Sequence, residues 1–461
     1  MEEQIADLLR RNRELEERLE RLLAENEGLR EENVRLRKEI EEWKRGHRER
    51  GKRRSSRAEG RRPGERKRPG RKPGHEGAWR PAVKPDRTVE HPLPEQCACG
   101  GCVSPTEEFE RTVVQDIPPV KVENVEHVAR IGLCQKCGRR VVAPLPGAAG
   151  AGAMVAASQL GPNAHALIVS LRFDHRMPMP QISRFLRGWF DLSITPGGIH
   201  HLVTRWRERS VASYEEIERR MQSSPVVGID ETGLRQDGVL GWAWLARTDE
   251  ASLFRVELSR GSWVAEAMLG TEFEGVVCSD FYGVYTAKTE WTHAYCGAHT
   301  IREAKKVAEV SPNLWTEGFR DEICDWYAHA KAAQKNGSRV ERQALCDQLD
   351  VLCTQRVSWD HPDVLRLAGR IDQHFEGVVY FLDHRSVPSD NNPTERDIRP
   401  IAVFRKVTGG TRSESGSMNL AHWMSIVQTL HKNDLSVRGY VHDLWYAHLH
   451  GRAPPSVFAP D

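Results

Sequence analysis

Long hydrophobic runs are missing. Nowhere do apolar residues continue for the roughly 18 positions that a membrane-spanning helix needs, and the N-terminus is acidic and Leu-rich instead of opening on a basic flank and an apolar leader. Neither a transmembrane helix nor secretion is therefore expected, and the expected compartment is the cytoplasm. Net charge is nearly missing too, at +2. That near-balance hides a segregation, because residues 44–80 carry 16 Lys and Arg against 4 Glu, which leaves the rest of the chain near −10. Such a block attracts a polyanion. Cysteine is scarce outside one region: Cys97, Cys99, Cys102, Cys134 and Cys137 crowd together, while Cys278, Cys296, Cys324, Cys346 and Cys353 are scattered. With no secretory leader, the crowded five read as metal ligands and not as disulfides.

What is present is a chain of 461 residues, 39% hydrophobic and 29% charged, with room for about two to four domains. Residues 1–43 place Leu8, Leu15, Leu22, Leu29 and Leu36 at every d position of a heptad repeat, with Ile5, Asn12, Leu19, Asn26, Asn33 and Ile40 at a. Leu at d and repeated Asn at a, which gives up stability to fix register, predict a parallel two-stranded coiled coil and hence a homodimer or higher oligomer. Residues 44–89 are basic but broken by Pro-Gly steps in Arg68-Pro69-Gly70-Arg71-Lys72-Pro73-Gly74. A basic zipper regulator carries a continuous basic helix before its coiled coil. Here the basic segment follows and cannot be continuous, so it reads as an arm whose Arg68, Arg71 and Lys72 contact DNA phosphates or a minor groove.

Residues 90–147 hold Cys97-Ala98-Cys99-Gly100-Gly101-Cys102 and, later, Cys134-Gln135-Lys136-Cys137. The runs Thr112 to Ile117 and Val120 to Glu123 read as strands between these knuckles, so the segment predicts a zinc-ribbon-like module. Cys99, Cys102, Cys134 and Cys137 give the cleanest pair of knuckles and are the expected ligands to Zn²⁺, with Cys97 able to replace one of the first two. Residues 148–224 turn helical, with apolar spacing at Leu167 to Leu171, Ile182 to Leu186 and Ile199 to Trp206. This is a helix-turn-helix-like pattern in which Gly198 to Arg209 either reads DNA, with Arg205, Arg207 and Arg209 on phosphates, or simply packs.

From Val226 the pattern is α+β. Three strands, a helix, a strand ending at Asp280 and a short fifth strand follow the order of an RNase H-like mixed sheet. Residues 225–300 form its first part, 301–385 a helical insertion, and 386–461 its last part with C-terminal helices. Val226-Val227-Gly228-Ile229-Asp230-Glu231 delivers a carboxylate to a strand end, Gly275 to Asp280 does so again, and Glu395 follows in Asp390-Asn391-Asn392-Pro393-Thr394-Glu395. Asp230, Asp280 and Glu395 make a hard-oxygen set for two Mg²⁺ ions acting at a phosphodiester. Adjacent strand residues face opposite ways, so only one of Asp230 and Glu231 can enter that site; Asp230 is the expected one, with Glu231 behind it or pointing outward. Glu395 also reads as the third helical residue of a capping box with Asn392 as N-cap. Asp237 reads as a turn former, and the Cys296 to His299 step as non-metal. Arg396, Arg399, Arg405 and Lys406 flank the third acid as candidate contacts to the scissile strand.

These motifs together resemble the insertion-sequence transposases of the sixty-six family, a DDE group, over essentially the whole chain: Arg71 to Gly77, the two Cys knuckles, Asp230-Glu231-Thr232, Ser279 to Tyr285, Cys296 to His299, and above all Asp390 to Arg396 with Ile398-Arg399-Pro400 and Arg405-Lys406. The resemblance implies that Asp230, Asp280 and Glu395 are a catalytic triad for Mg²⁺-dependent DNA cleavage and strand transfer. It also implies binding to terminal inverted repeats and target DNA, association with a bacterial nucleoid, and accessory element-encoded proteins as candidate partners. Two departures are the short stretch from Gly233 to Gly241 and Met177-Pro178-Met179-Pro180-Gln181, where the family commonly reads Leu-Pro-Leu-Tyr-Arg. A structure-selective nuclease of the same fold and a non-enzymatic zipper and zinc regulator are the alternative readings.

Overall fold

The computed structural model describes residues 83–118, 120, 122–126, 128–143, 160–354 and 361–459. The coiled-coil reading of residues 1–43 and the basic arm up to residue 82, with Arg68, Arg71 and Lys72, lie outside the described residues. The described residues up to Glu123 form one unit and those from Asn124 onward another. Among the described residues no helix is long and apolar enough to cross a membrane.

In the first unit Cys97, Cys99 and Cys102 sit in a turn in which the Cys97 N–H donates to the Gly101 carbonyl (2.9 Å) and the Gly100 N–H to that of Cys97 (2.8 Å). The strand expected from Thr112 to Ile117 is not formed, nor are the described residues of the run from Val120 to Glu123 in a strand. Among the described residues their apolar side chains pack on nothing: Val114 and Ile117 are 82% and 77% exposed. A run of β-formers becomes a strand only when a partner strand or a core lies beside it.

In the second unit the strands β1 (Ile131–Leu133) and β2 (Arg140–Val142) form an antiparallel hairpin whose loop carries Cys134 and Cys137. Helix α1 (Pro162–Val169) runs through a π-helical turn, Ser170–Asp174, and α2 (Met179–Phe190), α3 (Pro196–Arg209) and α4 (Val211–Gln222) follow. Prolines start α1, α2 and α3, and the Thr195 hydroxyl caps α3 by accepting from the Gly198 N–H (3.0 Å). Then come β3 (Val226–Gln236), β4 (Val239–Arg247), β5 (Ser252–Glu257), α5 (Ser262–Leu269), β6 (Val276–Ser279), α6 (Gly283–Thr286) and β7 (Thr292–Tyr295). The sheet order is β5-β4-β3-β6-β7, with the first three strands antiparallel and β3, β6 and β7 parallel. β3 runs six residues past Asp230 because it pairs with β4 along its length up to Gln236↔Val239. Asp237 and Gly238 both take positive φ (50° and 77°) in the two-residue turn.

Between the sheet and the last acid lie α7 (Gly297–Val310), α8 (Leu314–Asn336), α9 (Arg339–Thr354), α10 (Pro362–Gln373) and α11 (Phe375–Val379). This excursion begins and ends at one point, for the Gly297 N–H donates to the Ser389 carbonyl (3.1 Å). The chain closes with α12 (Asn392–Thr408), α13 (Glu414–Lys432) and α14 (Val437–Leu449). Two cores result. Trp206, Ile229, Val277, Tyr285 and Trp423 belong to one; Val276, Cys278, Tyr295, Trp326 and Phe381 belong to the other. Alternate residues of β6 thus face different cores, as a strand covered on both faces requires. α13 ties helices to sheet: the Ser425 hydroxyl accepts from the Phe254 N–H (2.8 Å), and the Trp423 indole donates to the Val203 carbonyl of α3 (3.0 Å). α3 is accordingly a packing helix on that side. Arg207 and Arg209 are only partly exposed, and the Arg209 guanidinium lies over the Trp206 ring.

Candidate active site

β3 and β6 run parallel in the register Val226↔Val276, Val227↔Val277 and Gly228↔Cys278. Asp230 and Asp280 are each two residues past the last of these pairs, so the two carboxylates lie level on adjacent strands, Asp280 just past the end of β6 and Asp230 within β3, which continues beyond it to Gln236 instead of ending there as the sequence suggests. Side chains alternate along a strand, so Asp230 shares its face with Gly228. What covers that face is the start of α12: a Cβ added to Gly228 would lie 2.2 Å from the Thr394 hydroxyl and 3.0 Å from Asn391 Oδ1. Glu395 follows Thr394. The absence of a side chain at Gly228 therefore brings the helix that bears the third acid onto the face that bears the first.

Asn391 makes this junction. It is buried; its amide donates to the Ile229 carbonyl (2.9 Å), its Oδ1 accepts from Thr394, and its backbone N–H donates to Cys296 Sγ (3.0 Å). It is also the N-cap of α12, though its side chain caps nothing. The capping box expected around Asn392 is thus not formed, and the N-cap lies one residue earlier. Glu395 is the fourth helical residue, and the side chain that would have capped the helix is used to grip the sheet.

Burial raises Asp230 from its ordinary 3.8 to about 7, and the charges of Glu231, Asp280 and Glu395 add to the effect, while the Glu231 N–H donated to Asp230 Oδ1 opposes it. The Tyr282 N–H donates to Asp280 Oδ1 (3.0 Å), fixing that carboxylate at the turn after β6. Glu395 Oε1 is 3.4 Å from Arg302 Nη2 and 3.7 Å from His299 Nε2. Neither partner was evident in the sequence. His299 stood in a Cys-x₂-His step, and Arg302 lies 93 residues before the acid it meets.

Glu231 does not point outward. It is buried on the opposite face, where Arg260 Nε donates to its Oε1 (2.9 Å) and the Tyr285 hydroxyl to its Oε2. Arg260 in turn lies over the rings of Trp242 and Tyr282 at 4.2 and 3.8 Å. Arg405 donates to the Thr232 hydroxyl (2.9 Å) and the Gly233 carbonyl, clamping the end of α12 to β3, whereas Arg396, Arg399 and Lys406 are exposed.

Among the described residues no three His, Cys, Asp or Glu side chains are gathered as a ready-made metal site. The donor chemistry at Asp230 nonetheless suits a hard divalent cation: the group is all oxygen, and a buried carboxylate raised by its like-charged neighbours is what a cation would relieve. The Cys134 thiol is held below its ordinary range by the backbone N–H groups of Cys137 and Lys136, which suits a thiolate ligand.

The family model described as "Transposase IS66 family" matches residues 157–419, more than half of the chain. The uncharacterized protein y4jO of Sinorhizobium fredii (strain NBRC 101917 / NGR234) is 23% identical over 191 residues, 41% of this chain and 58% of that protein. The chain thus spans less than two thirds of that relative's length.

Proposed function

We propose, from the premise that this chain belongs to the IS66 family of transposases, that it binds the terminal inverted repeats of an insertion sequence, cleaves the DNA ends and transfers the freed strand to target DNA, with Asp230, Asp280 and Glu395 as its reacting carboxylates. The observation that carries this reading is the junction at Gly228: parallel register aligns the first two acids, and contact with Thr394 brings the helix of the third onto the same face. Asp230, Asp280 and Glu395 would hold two Mg²⁺ ions, which when bound stabilise the entering and leaving oxygens of a phosphodiester exchange.

The chain's own contribution is positional. Asn391 keeps α12 against β3, the Tyr282 N–H orients Asp280, and Glu231 with Arg260 and Tyr285 braces β3 from behind. Arg396, Arg399 and Lys406 bind phosphates of the reacting DNA, and Arg68, Arg71 and Lys72 of the basic arm add affinity that salt weakens. Cys134 and Cys137 with two of Cys97, Cys99 and Cys102 hold Zn²⁺, and the N-terminal heptads pair subunits so that two ends are processed together.

The test is a joining assay on pre-cleaved DNA ends with Mg²⁺. The parent chain should join them and the double variant Asp230→Asn, Asp280→Asn should not. Joining by the double variant would overturn the assignment, and a parent that nicks DNA but never joins it would point to a nuclease instead.

A further inference from the structure

Next to Asp280 opens a cleft of about 520 Å³ that the acids themselves do not fill. Its floor is Asp280 to Tyr282, and its walls are α7, with Arg302 and Lys306, and α10, with Arg366 and Arg370. Both pairs are spaced by four residues, which on a helix sets the two side chains on one face. The acids on these walls are Glu303 and Asp363. Glu303 binds both Arg366 and Arg370, and Asp363 reaches Arg366 at 3.5 Å. Four cations against three lining acids, the two on the walls and Asp280 on the floor, leave a surplus of one. Lys306 is exposed with no acidic partner among the described residues, and Arg302 is 60% exposed while its only ion-pair partner among them is Glu395. A surface ion-pair network would use its charges up internally. This one keeps cations open toward the cleft and orients the arginines by pairing two of them to one carboxylate.

We propose that this cleft is a phosphate-binding subsite for one strand of DNA, in which Lys306, Arg302 and Arg366 grip successive backbone phosphates and lead the strand to Asp280. The proposal rests on the reading of Asp280 as a reacting carboxylate. Arg302 then has two roles, since the guanidinium that meets phosphate also faces Glu395, so an arriving strand competes for the cation that now holds the third acid. The apolar Val310, 70% exposed, lines the same cleft, a surface on which a sugar or base can rest without forfeiting hydrogen bonds.

The experiment measures binding of the full chain to a fluorescent duplex oligonucleotide with a single-stranded overhang across a salt series, for the parent, Lys306→Ala, Arg366→Ala and the double variant. Removing one cation from the phosphates should reduce the slope of log affinity against log salt by about 0.7 to 0.9. The basic arm contributes equally to every chain and drops out of the difference. Lys306→Arg should restore the parental slope. Because Arg366 is tied to Glu303, its variants can lose structure; Lys306→Ala, which removes no ion pair within the described residues, then carries the test alone. An unchanged slope in Lys306→Ala and in a folded double variant, with joining intact, would overturn the subsite and leave the reacting acids standing. A parent chain that binds no DNA would overturn both.

Discussion

The side-chain amide of Asn391 donates to the carbonyl of Ile229, the residue just before Asp230, at 2.9 Å. One side chain thereby ties the start of α12 to the strand that carries the first acid. Asn391→Ala should leave that buried carbonyl without its partner and cost about 1–3 kcal/mol in a denaturant melt. Joining activity should fall further than the loss of folded protein explains, because Glu395 loses its anchor. Asn391→Asp removes the donor at similar volume and should share the activity loss.

Gly228 is the other half of that junction. Gly228→Ala places a methyl group 2.2 Å from the Thr394 hydroxyl, and relieving the overlap should cost about 1–3 kcal/mol. The clash is specific, so Thr394→Ser or Thr394→Ala would not act alike in the Gly228→Ala background: only the alanine removes the offending oxygen. Partial recovery of stability by Gly228→Ala, Thr394→Ala and none by Gly228→Ala, Thr394→Ser is the expected pattern.

Asp230 makes a signed prediction. Its folded value is raised to about 7 from 3.8, so the folded chain keeps a proton that the unfolded chain has released. Stability from this group is fully present below pH 3.8 and is lost as pH rises through about 7. In a chelator, the melting temperature of Asp230→Asn relative to the parent should climb across that window. Joining should drop by about 10³-fold or more at every pH. A flat difference profile would remove the electrostatic account of the site.

Two buried histidines act in the opposite sense. His165 Nδ1 accepts from the Trp206 indole (2.8 Å) and His422 Nε2 meets Ser210 Oγ (2.7 Å). Burial first, then arginine charges nearby, lowers both from 6.5 to about 3. Their contribution is present above pH 6.5 and is lost as pH falls toward about 3. Urea midpoints of His422→Gln should therefore depend less steeply on pH over this range than those of the parent.

The cysteine knuckles predict about one Zn²⁺ per chain by elemental analysis. Cys134→Ser and Cys137→Ser should each remove it. Comparing Cys97→Ser with Cys99→Ser and Cys102→Ser identifies the remaining ligands by which two substitutions matter.

The strands leading to Asp230 and Asp280 were legible because an apolar run before a carboxylate is a simple pattern, and so were the Asp237 turn and the α+β order of elements. The strand end expected at Asp230 was not, because β4 pairs with β3 out to Gln236, and three further features were not either. Thr112 to Ile117 carry the β-branched residues of a strand, but a strand exists only with a partner, and Val113, Val114 and Ile117 face solvent. Asn392 reads as the helix cap, yet the cap position falls on Asn391, whose amide serves a carbonyl 162 residues earlier, a relation with no local signal. Arg302 met Glu395 for the same reason: helices in the excursion fold back on the sheet, and sequence spacing says nothing of that return.

The hydrogen bond between Gly297 and Ser389 means that α7 to α11 leave and rejoin the sheet through a single doorway. The outer ends of such a cassette can change length with both attachment points kept in place, whereas the face that shares a core with Val276 and Cys278 cannot drift without disturbing β6. Tolerance to change should therefore be graded across the cassette, greatest far from the sheet and least where Arg302 and His299 meet Glu395.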